Sequence, residues 1–118
     1  MDTKKLIEQL LETKIKNDLK ELEQYCVKLD VNYNRNIILY LLHKTYLFRC
    51  DLQGKKKKSI LSYILYLYLV LTSQKLNREI ICNELRINIV SLCKIERILF
   101  EKKAFINDFD IMSIRQMI

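Results

Sequence analysis

The most apolar stretch of the chain runs through its middle, from Ser59 to Leu71, with the sequence SILSYILYLYLVL. A helix drawn through it has hydrophobic side chains on every side, and such a helix is normally surrounded by other elements. The stretch is well short of the roughly 20 residues that cross a bilayer. Tyr, Ile and Leu also alternate here as in a strand, but no partner strand with turn chemistry occurs elsewhere. The pattern therefore predicts a central, buried core helix.

An amphipathic helical pattern occupies the N-terminal quarter of the chain and reaches Leu29. Its charged face is built from lysines and glutamates. The apolar face consists of Leu6, Ile7, Leu10, Leu11, Ile15, Leu19, Leu22, Tyr25, Cys26 and Leu29. Because this is long for one globular helix, it either breaks near Lys16 to Asp18 or projects as an arm that binds a partner. We assign residues 1–24 to an N-terminal helical extension.

Two turns separate the helices that follow. Asp30 to Asn34 forms the first, where Asn32 or Asn34 caps a helix from about Arg35 to Arg49. Cys50 to Gly54 forms the second, and Gly54 is free to take a left-handed conformation there.

A paired-helix pattern follows the central stretch. Two helices fit it, Arg78 to Leu85 and Ile89 to Leu99, joined by a tight turn at Arg86 to Asn88. Asn77 and Asn88 are well placed to cap them. Ile81, Leu85, Ile87, Leu92 and Ile95 occupy the apolar positions that let two helices pack across such a turn, and Cys82 supplies a small side chain between them. The spacing predicts a helix-turn-helix over residues 77–99, with Arg86 where a glycine is usual.

The C-terminal segment, residues 101–118, predicts a loop from Glu101 to Asn107 and a short helix from about Asp110 to Met117. Asp108 or Asp110 is its expected cap. The apolar residues that would dock this segment against the core or a partner are Phe105, Phe109, Ile111, Ile114 and Met117.

Composition supports a single all-α domain. The chain has 118 residues, no proline and one glycine, whereas a sheet protein of this size normally needs several of each for its turns. None of the four cysteines forms a CxxC pair, and the only histidine is His43, so zinc-ligand spacing is absent. Without a nucleophile–histidine pair, a glycine-rich phosphate loop or a metal cluster, the sequence predicts no enzyme, cofactor or metal.

Positive charge is concentrated after the first helix. Residues 1–30 carry six lysines against seven acids, a sum of −1, and residues 31–118 carry fifteen Lys and Arg against seven acids, a sum of +8. Lys55 to Lys58 stand directly before the central helix, where positive charge opposes the helix dipole. A phosphate backbone would offset that repulsion. A solvated loop or a localisation signal is the alternative interpretation of this run.

The segment from Cys26 to about Leu99 resembles the cyclin-like repeat of transcription factor IIB, and its second repeat most closely. Tyr25, Cys26, Leu29 and Val31 match the aromatic-Cys-x-x-Leu-x-Leu start of that repeat. Gly54, Ser59 and Ile60 match its Gly-Arg-Ser-Pro-x-Ser-Ile junction, and Leu65, Tyr66 and Leu67 match a later Ile-Tyr-Leu step. The helix-turn-helix follows at the same distance.

Several residues depart from the family pattern, so only part of the family's function is expected of this sequence. The Arg-Ser-Pro triplet is Lys55, Lys56 and Lys57 here, and the family's alanines are Leu61, Ser62, Tyr63 and Ile64. Of the valine and arginine with which the family reads promoter bases, Val90 is kept and Cys93 replaces the arginine. A zinc ribbon and a second repeat are missing. Origin recognition complex subunit 6, which is similar in fold and needs no zinc ribbon, is therefore a competing resemblance.

The resemblance implies a five-helix cyclin-like domain over residues 25–100 and a non-enzymatic role in DNA binding and assembly of a transcription initiation complex. The partners would be double-stranded DNA and protein subunits of that complex, without a membrane. Phosphates would meet Lys55, Lys56, Lys57, Lys58, Lys94 and Arg97, and Asn88, Val90 and Ser91 would face the groove. The alternatives are a reduced replication-initiation protein like origin recognition complex subunit 6, and a protein-only helical adaptor.

Cysteine usage and the charged N-terminus bear on location. The cysteines form no CxxC pair, and the N-terminus is a charged amphipathic helix rather than an apolar signal segment. Together these features predict reduced thiols and an intracellular protein. It would be nuclear in a eukaryote, and otherwise cytoplasmic or in a viral factory.

Overall fold

Helices make up all the regular secondary structure in the described part of the chain, which confirms the all-α class. The computed structural model describes residues 3–101 and 106–118. Its helices are α1 (Thr3–Leu29), α2 (Arg35–Leu47), α3 (Lys57–Leu71), α4 (Arg78–Leu85), α5 (Ile89–Phe100) and α6 (Asp108–Met117). Helix α2 ends two residues before the predicted Arg49, and α5 runs one residue past the predicted Leu99.

Helix α3 is the buried centre, as its apolar pattern predicts. It packs against α1, α2, α4 and α5. Its fully or almost fully buried residues are Ser59, Leu61, Ser62, Tyr63, Ile64, Leu65, Tyr68 and Leu69. The helix begins at Lys57, two residues earlier than the expected Ser59, so half of the lysine run belongs to its first turn.

Helix α1 is unbroken, and its two halves have different surroundings. Ile15, Leu19, Leu22 and Cys26 are buried in the main hydrophobic core. Residues 3–14 are exposed except for the half-buried Leu11. The expected break near Lys16 to Asp18 does not occur, because this turn packs on the core. Packing therefore divides α1 near residue 14 rather than after residue 24, and only the shorter N-terminal part projects.

The hydroxyl group of Tyr68 joins the first connection to the central helix. It donates a hydrogen bond to the carbonyl of Asn32 at 2.5 Å and accepts one from the backbone N–H of Asn34 at 2.9 Å. Asn34, the second of the two predicted candidates, caps α2 by accepting from the N–H of Ile37. Asp30 has a φ of 53°, and this left-handed residue ends α1.

Helices α4 and α5 form the predicted helix pair. Asn77 and Asn88 are the N-caps, and Ile81, Cys82, Leu85, Leu92 and Ile95 are buried as expected, with Ile87 half-buried. Arg86 ends α4 with φ 56° and ψ 50°, the left-handed conformation that a glycine usually supplies. The turn therefore keeps its usual backbone with a non-glycine residue. A free cysteine within a helical pattern is usually a small core residue, and Cys26 and Cys82 are buried accordingly, whereas Cys93 is exposed.

Helix α5 lies against α3 through a second hydrophobic cluster. The buried members are Leu52, Tyr63, Cys82, Leu92, Ile95 and Leu99. Leu52 belongs to the α2–α3 connection, so this cluster also holds the connection in place. Gly54 follows with a φ of +81°, the left-handed conformation expected of it. The packing brings the start of α3 beside the first turns of α5.

Helix α6 begins earlier than predicted and uses a different cap. Asn107 is the N-cap: its side chain accepts from the N–H of Asp110, and the Asp110 carboxylate accepts from the N–H of Asn107, both at 2.9 Å. This reciprocal capping box replaces the expected cap at Asp108 or Asp110. Ile114 joins the core and Phe109 is exposed. Phe105 and Met1 and Asp2 lie outside the described residues.

Candidate nucleic-acid interface

The lysine run and the second helix of the pair meet in one surface cleft. Its volume is about 180 Å³, and its lining residues are Gly54, Lys55, Lys56, Ser59, Ser91, Lys94 and Ile95. Two distant parts of the sequence thus contribute to it, with Lys55 and Lys56 on one side and Ser91 and Lys94 on the other. The structure places four of the nine predicted DNA-contacting residues around this cleft.

Five of the predicted cations are available to an external anion. Lys55 is half-buried, whereas Lys56, Lys58, Lys94 and Arg97 are exposed. In residues 3–101 and 106–118, none of the five forms an ion pair. Lys94 and Arg97 are one turn apart on α5, so their side chains leave the same side of that helix.

The start of α3 adds to the positive field. Lys56 is its N-cap residue and makes no side-chain capping bond, and the first turn contains no acid. The first N–H groups of a helix carry partial positive charge and have no partner inside the helix. Lys58 lies in that first turn. Both the backbone and the side chains here attract negative charge.

Lys57 differs from the other three lysines of the run. Its ammonium group is 3.1 Å from the Asp18 carboxylate and 3.3 Å from that of Glu21, both on α1. The pairing with Asp18 is the main reason why the pKa of Lys57 is raised. Asp18 is buried, so the pair balances a charge that would otherwise be uncompensated. Among the four lysines, Lys57 is therefore the one whose charge is already matched within the protein.

The residues expected to face a groove lie at the exposed start of α5. Val90 is 55% exposed. The side-chain oxygen of Asn88 accepts a hydrogen bond from the Val90 N–H at 2.8 Å, so capping occupies that oxygen. The Asn88 amide nitrogen keeps its donor capacity for an outside partner.

An interaction that the sequence did not reveal connects α4 with α5 and α3. Arg78, at the start of α4, forms an ion pair with Glu96 of α5 at 2.5 Å. The same guanidinium lies 4.8 Å from the ring centroid of Tyr66 on α3. One side chain thus connects three helices. A helical-wheel pattern gives no sign of this, because the partners are 12 and 18 residues away in sequence.

The described side chains give little sign of reactive chemistry. No group of three or more His, Cys, Asp or Glu among them could hold a metal ion. Burial raises the pKa of the Cys26 thiol to about 11 and also raises that of Cys82, which keeps both thiols protonated. His43 is exposed on α2. In the same described ranges, no helix is both long and apolar enough to cross a membrane.

Comparison of the chain with protein-family models, with characterised proteins and with solved structures gave no significant match in any of the three. The class that the fold defines is an all-α protein with six described helices, of which α3 is the buried central one. The resemblance to the repeat of transcription factor IIB stays a prediction from sequence.

Proposed function

We propose that the protein is a non-enzymatic DNA-binding module that assembles with protein subunits of an initiation complex. The observation that carries the proposal is the cleft where Lys55 and Lys56 meet Ser91 and Lys94. Two segments separated by more than thirty residues place cations side by side there. A phosphate backbone is a polyanion of regular spacing, and clustered lysines that form no ion pair with the described residues suit it.

The arrangement supports different roles for the lysines and for the first turn of α5. The unpaired lysines would contact phosphates, which set position and affinity without reading sequence. The first turn of α5 carries Val90 and Ser91, which present a methyl-bearing and a hydroxyl side chain at the exposed end of the helix. Side chains at this end of the second helix reach base edges in helix-turn-helix proteins.

A salt titration of DNA binding tests the proposal. Fluorescence anisotropy of the purified protein with a labelled duplex of about 30 base pairs should give an affinity that falls steeply with salt, with a slope of several units on logarithmic axes. A slope of that size reports the number of phosphates neutralised. No binding at low salt would reject DNA as the partner.

A second candidate, a protein-docking arm, is favoured by the projecting part of α1. Leu6, Ile7 and Leu10 are 43%, 52% and 62% exposed along its first turns. Isolated helices shorter than about 12–15 residues are marginal in water. A projecting amphipathic helix that exposes these side chains is typical of one that a partner covers. The arm would contribute the assembly part of the function or, in the absence of DNA binding, an adaptor function.

Adding charge to the exposed apolar side chains in the projecting part of α1 is expected to remove partner binding without unfolding the domain. The variant Ile7→Lys with Leu10→Lys leaves the core unchanged, because both side chains are outside it. We expect loss of at least about tenfold in affinity for the protein partner, measured by pull-down and calorimetry once the partner is isolated. Deleting residues 1–24 would be a poor test, since it removes Ile15, Leu19 and Leu22 from the core.

The matched control is Glu8→Lys with Glu12→Lys, which adds positive charge to exposed positions of the same turns. It should retain most of the binding. Unchanged binding by the Ile7 and Leu10 variant would eliminate the arm as the docking surface.

A further inference from the structure

A second cavity lies behind the lysine run, between α1, α2, the α2–α3 connection and α3. Its volume is about 280 Å³. Most of its deep wall is apolar, since Leu42, Leu52, Leu61 and Ile64 line it and are at most 4% exposed. The buried Asp18 and Thr45 line it as well. Protein interiors contain few voids larger than a water molecule, and small-ligand pockets begin at about 300 Å³. At about 280 Å³ this cavity lies just below that range, so it would suit a ligand smaller than most.

The mouth of this cavity is cationic. Lys14 from α1 and Arg49 from the α2–α3 connection both approach the ring of Tyr46, at 5.3 and 5.0 Å from its centroid. Lys55 also lines the cavity. Throughout the described ranges, these three cations have no ion-pair partner. The acid nearby, Asp18, is already matched by Lys57 at 3.1 Å.

Lys14, Arg49 and Lys55 all line the cavity, so a negative charge at its mouth would be attracted by three cations. Apolar groups deeper in the cavity offer nothing to a second charge. The combination of an apolar wall and a positive mouth selects for a molecule with one charged end.

We propose that this cavity binds a small molecule with an apolar body and a single anionic head group, such as a medium-chain carboxylate or an alkyl phosphate. The apolar body lies against Leu42, Leu61 and Ile64. The anionic head lies at the mouth, which Lys14, Arg49 and Lys55 line. The proposal does not rest on the proposed DNA function, although Lys55 lines both the cleft and this cavity, and it is tested without DNA.

Methyl NMR of the whole protein, titrated with octanoate, tests the site directly. Saturable shifts of the Leu42, Leu61 and Ile64 methyl signals are the expected result. Octanol, which has the same chain without the charge, should bind more weakly. Octyl phosphate identifies the head group: tighter binding than octanoate assigns a phosphate, and weaker binding assigns a carboxylate.

The head-group contacts are tested by the variant Lys14→Gln with Arg49→Gln. Both side chains are exposed, so the fold should persist, and octanoate affinity should fall about tenfold while octanol affinity is unchanged. Lys16→Gln with Arg35→Gln removes the same charge from exposed positions of α1 and α2 away from this cavity, and should bind like wild type. Absence of saturable methyl shifts, equal binding of octanol, or equal loss in both variants would overturn the proposal.

Discussion

Replacing Lys55, Lys56, Lys58 and Lys94 together by alanine is expected to lower the affinity for duplex DNA between about a hundredfold and a thousandfold. Each exposed charge contact contributes up to about 1 kcal/mol, so four together approach 3–4 kcal/mol. The slope of log affinity against log salt should become shallower by about 4, because each phosphate contact accounts for about one unit. Anisotropy titrations of wild type and variant at several salt concentrations measure both quantities.

The four substitutions should leave the fold intact. Lys55 is half-buried and the other three side chains are exposed. Lys58 lies in the first turn of α3, where positive charge is unfavourable, so its removal should if anything favour the helix. Thermal unfolding of the variant should therefore match or slightly exceed that of wild type.

The control for net charge is a variant with alanine at Lys5, Lys16, Lys20 and Lys28. All four are exposed on α1, away from the cleft. If the lysines acted only through long-range attraction, removing four of them would weaken binding equally in the two variants. We expect the α1 variant to keep most of its affinity and salt slope. Equal affinities for wild type and the variant with alanine at Lys55, Lys56, Lys58 and Lys94, at all salt levels, would show that DNA does not bind at this surface.

Lys57 provides an internal contrast within the same run. Its charge is held by Asp18 and Glu21, so Lys57→Ala should change the salt slope less than Lys56→Ala. It should also lower stability, since it leaves the buried Asp18 without its counter-charge. Lys57 thus has a structural role in addition to its positive charge.

Local signals in the sequence were sufficient for most of the helices. Asn34, Asn77 and Asn88 each precede a helical pattern, and each caps the helix that follows, because capping depends on residues two or three positions apart. The apolar periodicity of the central stretch likewise predicted its burial. The cap of α6 was missed because Asp108 and Asp110, one and three residues after Asn107, offered the same chemistry.

Tertiary pairings were not predictable in this way. Lys57 meets Asp18 across 39 positions of sequence, and Arg78 meets Glu96 across 18. No periodicity relates such residues, and their meeting depends on how the helices pack. The run of four lysines therefore looked uniform in sequence, although packing assigns Lys57 to α1 and directs Lys55 and Lys56 toward α5. The amphipathic pattern of α1 continues unchanged into its projecting part, so the sequence alone could not locate the division near residue 14.

Replacing Asp110 by alanine is expected to destabilise the attachment of α6 by about 3 kcal/mol near neutral pH, toward the lower end of the range for breaking a buried ion pair. Asp110 is 1% exposed. It accepts a hydrogen bond from the hydroxyl of Tyr40, forms an ion pair with Lys44 at 3.1 Å, and completes the capping box with Asn107. The variant removes all three interactions. Lys44 is 23% exposed, so water can partly solvate its freed charge.

The stabilisation that Asp110 contributes decreases at low pH. Burial by itself would raise the pKa of Asp110, but hydrogen bonds from Tyr40 and the Asn107 N–H, together with Lys44, outweigh it and hold the pKa below the ordinary 3.8. A carboxylate with a lowered folded-state pKa stabilises fully above its unfolded-state pKa. That contribution is lost as the pH falls from 3.8 through the lower folded-state value. The stability difference between wild type and Asp110→Ala should therefore be constant above about pH 5 and shrink below 3.8.

Hydrogen exchange of the α6 amides detects the loss whether α6 opens alone or with the rest of the protein. Denaturant unfolding at the same pH values shows which of the two occurs. Asp108→Ala is the matched control, because Asp108 is an exposed acid in the same first turn of α6. Its loss removes only a favourable interaction with the helix dipole, about 0.3–1 kcal/mol. Equal effects of the two substitutions, or a difference that does not narrow at low pH, would mean that Asp110 does not anchor α6 as a charged group. Such a result would leave the apolar contact of Ile114 with the core as the principal attachment of this helix.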